Sequence, residues 1–219
     1  MIITYYGHSC FKLRSTEGTV ATDPFSDFVG FEFPNLTADI VTVSHDNPAH
    51  NNYSAVGSTS RRKRPFIIDF PGEYEVGGIS VFGVRTYCDG EQGAQHGENH
   101  VFTFLMDDLR ACHLGSLGHE LTDKQIAEIG LVDILFAPVG GVRGLDAKTA
   151  VKVARSLEPN ILIPMQYKTP EHNQDVFADF ATLEEFLKEY EAEPDTLDKL
   201  NVSRSNLPEE MEIVVLERN

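Results

Sequence analysis

The sequence predicts an α/β fold in which sheets pack face to face and helices lie outside. Three observations carry that reading. Strand-like segments crowd the first 113 residues, and after residue 120 the hydrophobic period lengthens to that of helices alternating with strands. No repeat, low-complexity tract or linker divides the chain, so residues 1–219 form a single domain of a length that buries a sizeable core. Many strands first, with helices interleaved late, is the pattern of sheets covered by helices.

The elements follow in order. Residues 2–6, 10–14 and 19–22 read as short strands broken by Gly7 and by Glu17-Gly18. Residues 40–44 form a buried apolar strand ending at His45. Residues 66–68, 79–85, 101–106 and 109–113 continue the β pattern, with Asp107-Asp108 as a hairpin turn between the last two. Thr122 with Gln125 makes a capping box for a short helix through Ile129. Residues 134–138 are a buried strand that ends in Val139-Gly140-Gly141. Asp146 caps a helix to about Leu157, whose Ala147, Val151, Ala154 and Leu157 share one face, and Glu158-Pro159 stops it. Residues 161–164 are a further strand. Thr182 with Glu185 forms a second capping box, before an amphipathic helix carrying Leu183, Phe186, Leu187 and Tyr190. Residues 213–216 close the chain as one strand.

Composition narrows the function. The chain has 34 Asp+Glu against 18 Lys+Arg, a net charge of −16, which argues against nucleic acid and anionic membranes as partners because both need a positive field. No apolar run reaches the roughly 18 residues of a membrane span. The first residues read as a strand, not a basic signal region, and three scattered cysteines make no disulfide framework; a cytoplasmic, reduced protein is the expectation. The acidity is uneven: residues 171–219 hold 14 acidic and 4 basic side chains, a net of −10, and read as a solvated helical surface. The one basic cluster, Arg61 to Arg64, precedes a strand and reads as a solvated loop or strand-edge guard ahead of a phosphate-binding patch.

Three segments place polar residues directly after buried strands, where loops carry chemistry. They are Ser44-His45-Asp46-Asn47-Pro48-Ala49-His50, then His113-Leu114-Gly115-Ser116, and Pro164-Met165-Gln166-Tyr167. Together with Tyr6-Gly7-His8-Ser9-Cys10, Thr22-Asp23-Pro24, Gly72-Glu73-Tyr74-Glu75 and Ala137-Pro138-Val139-Gly140-Gly141, they resemble the metallo-β-lactamase-fold superfamily, in its ascorbate-phosphate-lactonase-like branch of Zn-dependent hydrolases. The resemblance implies a four-layer αββα sandwich and a two-metal hydrolase of small esters, lactones or phosphorylated compounds.

The implied ligand set is depleted. Against the family's H-x-H-x-D-H motif, His45 matches the first His and His50 the last, while Asn47 and Ala49 stand at the second His and the Asp. The next ligand His matches His113, the bridging Asp falls on Ser116 and the final His on Gln166. Three of seven positions thus keep a ligand-type residue. Zinc takes three or four N, S or carboxylate donors, and neutral amide oxygens suit it poorly. With both carboxylates absent, four positive charges from two ions go unneutralised in a low-dielectric cleft.

Two readings follow. One is a depleted centre that binds metal weakly or not at all, inactive or nearly so, acting by binding a small molecule in the cleft or through a homo-oligomer interface. The other is a single divalent ion, zinc or manganese, on His45 and His113, with Asn47 or water completing the shell. In that reading His50 is base or ligand, and Asp46 or Asp23 is a substitute carboxylate. Taken alone, Asp46 reads as a loop cap, Asp23 as a turn residue, and His8, Cys10 and Cys112 as structural. A nuclease of the same fold is disfavoured by the charge.

Overall fold

The structure, a computed structural model, describes all residues 1–219. Two sheets form the sandwich. The first contains β1 (Ile2–Gly7), β2 (Cys10–Arg14), β3 (Thr19–Thr22), β4 (Ile40–Thr42) and β5 (Phe66–Ile68). The second contains β6 (Gly72–Val76), β7 (Ile79–Tyr87), β8 (Glu98–Met106), β9 (Leu109–His113), β10 (Ile134–Pro138) and β11 (Ile161–Met165). The helices are α1 (Asp123–Ile129), α2 (Ala147–Leu157), α3 (Gln174–Phe177) and α4 (Leu183–Tyr190), followed by β12 (Thr196–Leu197), β13 (Leu200–Asn201), β14 (Glu212–Ile213) and β15 (Val215–Leu216). The order in the first sheet is β13-β1-β2-β3-β4-β5, and in the second β14-β11-β10-β9-β8-β7-β6; β12 and β15 pair separately.

The strand alternation builds two cores. Ile3, Phe11, Leu13, Val20 and Ile40 point from the first sheet toward Phe102, Phe104, Ile134 and Phe136 of the second, within one cluster of 41 buried residues. Cys10, Ala21 and Val41 point the other way and form a smaller cluster with Phe25, Leu36, Phe177 and Phe180. The strands β10 and β11 are buried at every position, as parallel strands with both faces covered must be. Pro164 is tolerated there because β14 pairs only with Ile161 and Leu162, so no ladder donor is needed at the proline.

On the outer face of the second sheet, α1 contacts β7, α2 contacts β10, and α4 packs on α2. The outer face of the first sheet is covered by loops, short 3₁₀ turns at Asp27–Val29 and Tyr53–Ala55, and the one-turn α3. The four-layer fold is thus present with one thin helical layer. The capping box at Thr122 and the Asp146 cap are both made. At Asp107 and Asp108 both φ angles are positive, giving the hairpin turn whose twist matches its strands.

Three expectations are corrected. Thr182 is the N-cap of α4 but its side chain makes no cap hydrogen bond, so the second capping box does not form. Residues 213–216 are two short strands: β14 extends the second sheet, and β15 turns away to pair with β12. The acidic tail is not a purely helical surface, because β13 completes the first sheet against β1 and β14 the second. Arg61, of the basic cluster, donates to the carbonyls of Glu17 and Thr16 in the turn between β2 and β3.

Candidate functional site

The parallel strands β3, β4 and β5 of one sheet, and β9, β10 and β11 of the other, deliver their C-terminal ends to one rim of the sandwich. Ligands bind outside carboxyl ends of strands in such sheets. Asp23 follows β3, His45 to His50 follow β4, Ser116 follows β9, Val139 to Arg143 follow β10, and Gln166 follows β11. Backbone strain gathers here: His8, Asp23 and Gln166 hold φ of 54°, 38° and 57°, a left-handed conformation that side chains with a Cβ rarely adopt.

A pocket of about 100 Å³ lies at this rim. His8, His45, Asn47, Ala49, His50, Ser116, Arg143 and Gln166 line it, against an apolar wall of Phe28, Val142, Val176, Phe177 and Phe180. Six of the seven positions that the family resemblance sets against metal ligands, His45, Asn47, Ala49, His50, Ser116 and Gln166, therefore line one pocket. His113 is the one that does not. It is fully buried behind the pocket, with Nε2 2.9 Å from the Ser9 carbonyl and Nδ1 accepting from Gly115 N–H at 3.2 Å. Both ring nitrogens are thus engaged by backbone, and burial lowers its pKa.

Asp46 is exposed and accepts from Asn51 Nδ2 at 2.6 Å, the loop cap expected of it. It lines a neighbouring pocket of about 540 Å³ with His45, Asp69, His96, Glu98 and His100. Asp23 is more than a turn residue. Fully buried, its carboxylate accepts from Ser44 N–H at 2.8 Å and Ser44 O–H at 2.6 Å, and lies 2.9 Å from His50 Nδ1. Burial raises its pKa, but the hydrogen bond to His50 and the positive fields of His113, His50 and His45 outweigh that and hold it at about 2. Burial, with His50 adding to it, pushes His45 down to about 3.

Ser116 and Gln166 satisfy one another. Gln166 Nε2 donates to Ser116 Oγ at 3.0 Å and to the Gly115 carbonyl at 3.2 Å. Ser116 Oγ lies 3.4 Å from His50 Nε2. The turn depends on Gly115: at φ +60° a Cβ there would sit 2.3 Å from Asn99 Oδ1 and 2.5 Å from Ser44 Cβ.

A model of the Beta-lactamase superfamily domain matches residues 2–166, the span that holds both sheets' parallel strands and the whole rim from His8 to Gln166. The chain belongs to the metallo-β-lactamase superfamily. A Lysinibacillus sphaericus protein named UPF0173 metal-dependent hydrolase is 27% identical over 214 residues, covering 82% of this chain and 92% of that one. A Pyrococcus abyssi UPF0173 protein is 25% identical, covering 77% and 84%. The crystal structure of a Thermotoga maritima protein, assigned to the Zn-dependent hydrolases of the superfamily, is 36% identical with a TM-score of 0.79, covering 99% and 98%. An Ignicoccus hospitalis metallo hydrolase, 17% identical with a TM-score of 0.62 over 97% and 94%, shares the fold.

Relatives named metal-dependent hydrolases imply a metal, and the donors at this rim do not fit one. The pocket offers imidazoles, two amides and a hydroxyl, but no carboxylate, and the Arg143 guanidinium lines it as well. Both Asp23 oxygens are engaged behind the His50 ring. Cys88, beside His45, Asn47 and Arg143 in an adjoining pocket, has its thiol pushed up to about 12 by burial, so it is no thiolate ligand at neutral pH. No three His, Cys, Asp or Glu side chains converge in metal-holding geometry.

Sequence reasoning missed the pocket roles of His8, Cys88 and Arg143. The signals available were weak: His8 and Cys88 each follow a strand directly, as the other site residues do, whereas Arg143 lies five residues beyond the end of β10.

Proposed function

We propose that this metallo-β-lactamase-fold protein has a depleted metal centre and that its rim pocket binds a small organic molecule without two-metal catalysis. The observation that carries the reading is the set of hydrogen bonds among His50, Ser116 and Gln166, with Arg143 lining the same pocket, at positions that the family resemblance sets against metal ligands. A divalent ion entering there meets a fixed positive charge and no carboxylate in the pocket lining, and must break hydrogen bonds to gain neutral donors. Arg143 and the amides of Asn47 and Gln166 favour a polar or anionic group on the ligand, and the phenylalanine wall an apolar one.

Elemental analysis of protein purified without added metal, followed by zinc and manganese titration, tests this. Substoichiometric metal and no saturable uptake of either ion are expected. Stoichiometric metal that is lost in His45→Ala would overturn the reading in favour of a mononuclear hydrolase.

A further inference from the structure

The same rim holds a hydroxyl, an imidazole and a carboxylate in relay. Asp23 Oδ2 lies 2.9 Å from His50 Nδ1, and His50 Nε2 lies 3.4 Å from Ser116 Oγ. A carboxylate at Nδ1 fixes the tautomer with the proton on that nitrogen, which leaves the Nε2 lone pair facing the serine. Ser9 Oγ, 2.9 Å from the same Nδ1, and the Ser44 hydroxyl on Asp23 hold ring and carboxylate in place. Because Gln166 Nε2 faces the Gly115 carbonyl as a donor, it also donates to Ser116 Oγ, so the serine's own proton is free for an acceptor. His50 Nε2 at 3.4 Å and Gln166 Oε1 at 3.3 Å are within its reach. Nucleophile, base and orienting group within hydrogen-bond reach is the arrangement of acyl-transfer catalysis, recognised by geometry and not by order along the chain.

We propose that Ser116, His50 and Asp23 form a metal-independent triad that hydrolyses carboxylic esters of short-chain acids. This rests on the reading that the pocket works without metal. Ser116 Oγ adds to the ester carbonyl as its proton passes to His50 Nε2. The bond to the alcohol oxygen breaks, and that oxygen leaves with the proton from His50. Water then adds to the acyl-serine, giving a proton to His50. The serine oxygen leaves with it, and a carboxylic acid is released. Asp23 is a positioning residue throughout. Negative charge on the carbonyl oxygen is met by donors lining the pocket, the Asn47 amide and the Arg143 guanidinium. His8 supplies an independent sign of a ligand: it is 2% exposed, lines the pocket, and its Nδ1 has no hydrogen-bond partner. A small pocket walled by Phe28, Phe177 and Phe180 suits a short acyl chain.

The test uses the full chain after chelator treatment, with a fluorophosphonate as covalent probe and p-nitrophenyl acetate as substrate. One label per chain on the peptide holding Ser116 is expected, together with turnover that added zinc does not raise. Ser116→Ala abolishes both. His50→Gln lowers the labelling rate on the order of 100-fold or more. In Asp23→Asn the maximal labelling rate falls while the probe concentration for half-maximal rate stays, a split that a merely loosened fold would not give. Should Ser116→Ala fail to fold, Ser116→Thr keeps the hydroxyl but hinders it and labels at least about tenfold more slowly. Absence of label and turnover in folded, metal-free protein overturns the triad and leaves metal-free binding standing. Turnover that requires stoichiometric zinc overturns both.

Discussion

Rebuilding a metal site would test the positional logic of the pocket. Ala49, Ser116 and Gln166 line it with His50, and Ala49 and Ser116 are 3% and 2% exposed. The triple variant Ala49→Asp, Ser116→Asp and Gln166→His gives one divalent ion two carboxylates and two imidazoles, a neutralising and tetrahedral-capable set. Without metal, two buried carboxylates repel one another and lose hydration, a penalty of several kcal/mol per unpaired charge. The apo variant is therefore expected to melt well below the wild type. Zinc at 1,000 times its dissociation constant restores about 4 kcal/mol by mass action. At roughly 2–4 °C per kcal/mol for a chain of this size, the melting temperature rises by about 8–16 °C. The wild type, with no carboxylate in the pocket and Arg143 lining it, is expected not to shift. The assay is a thermal melt by circular dichroism with and without zinc, paired with elemental analysis. A folded variant that zinc leaves unmoved would refute the convergence of these four positions on one ion. An equal shift in the wild type would refute the misfit of its native donors.

Three further outcomes are expected. His172 is buried among Phe31, Phe177 and His8, and burial, only partly offset by Glu171, pushes its pKa from 6.5 to about 4. Its neutral folded form makes stability full above pH 6.5 and declining as pH falls toward 4, by about 3 kcal/mol from this group; urea titrations at pH 7 and pH 5 that coincide would exclude it. Burial raises the pKa of the Asp89 carboxylate, but the backbone N–H groups of Glu91, Gly93, Gln95 and His96, donating to it at 2.7–3.0 Å, together outweigh that and hold it at about 2. In Asp89→Asn hydrogen exchange at those four amides accelerates roughly tenfold or more. In the wild type their protection persists at pH 4 and is lost as pH falls through about 2. Gly115→Ala collides with Asn99 and Ser44 in a left-handed turn and loses about 3 kcal/mol or more, whereas Gly90→Ala, in open space, stays within about 0.5 kcal/mol by chemical denaturation.

The order of strands and helices and the caps at Thr122 and Asp146 were legible in residues that act locally, through alternation, periodicity and turn chemistry, whereas the superfamily was legible only through the resemblance of the strand-end motifs to a known family. The short strands β12 and β13, and the division of residues 213–216 between β14 and β15, were not, because two-residue strands have no period and exist only where a neighbour offers an unpaired edge. The site divided in the same way. Loops after buried strands announced His45, His50, Ser116 and Gln166, and their convergence follows from strands that run parallel and end on one rim. Tertiary structure alone decided that His113 faces backbone instead of the pocket, that Asp23 is joined to His50 across 27 residues, and that Arg143 enters the cavity. A residue type fixes which bonds a side chain can make, but which partner it meets depends on how two sheets stack. That stacking is set by the whole core and not by any segment of the chain.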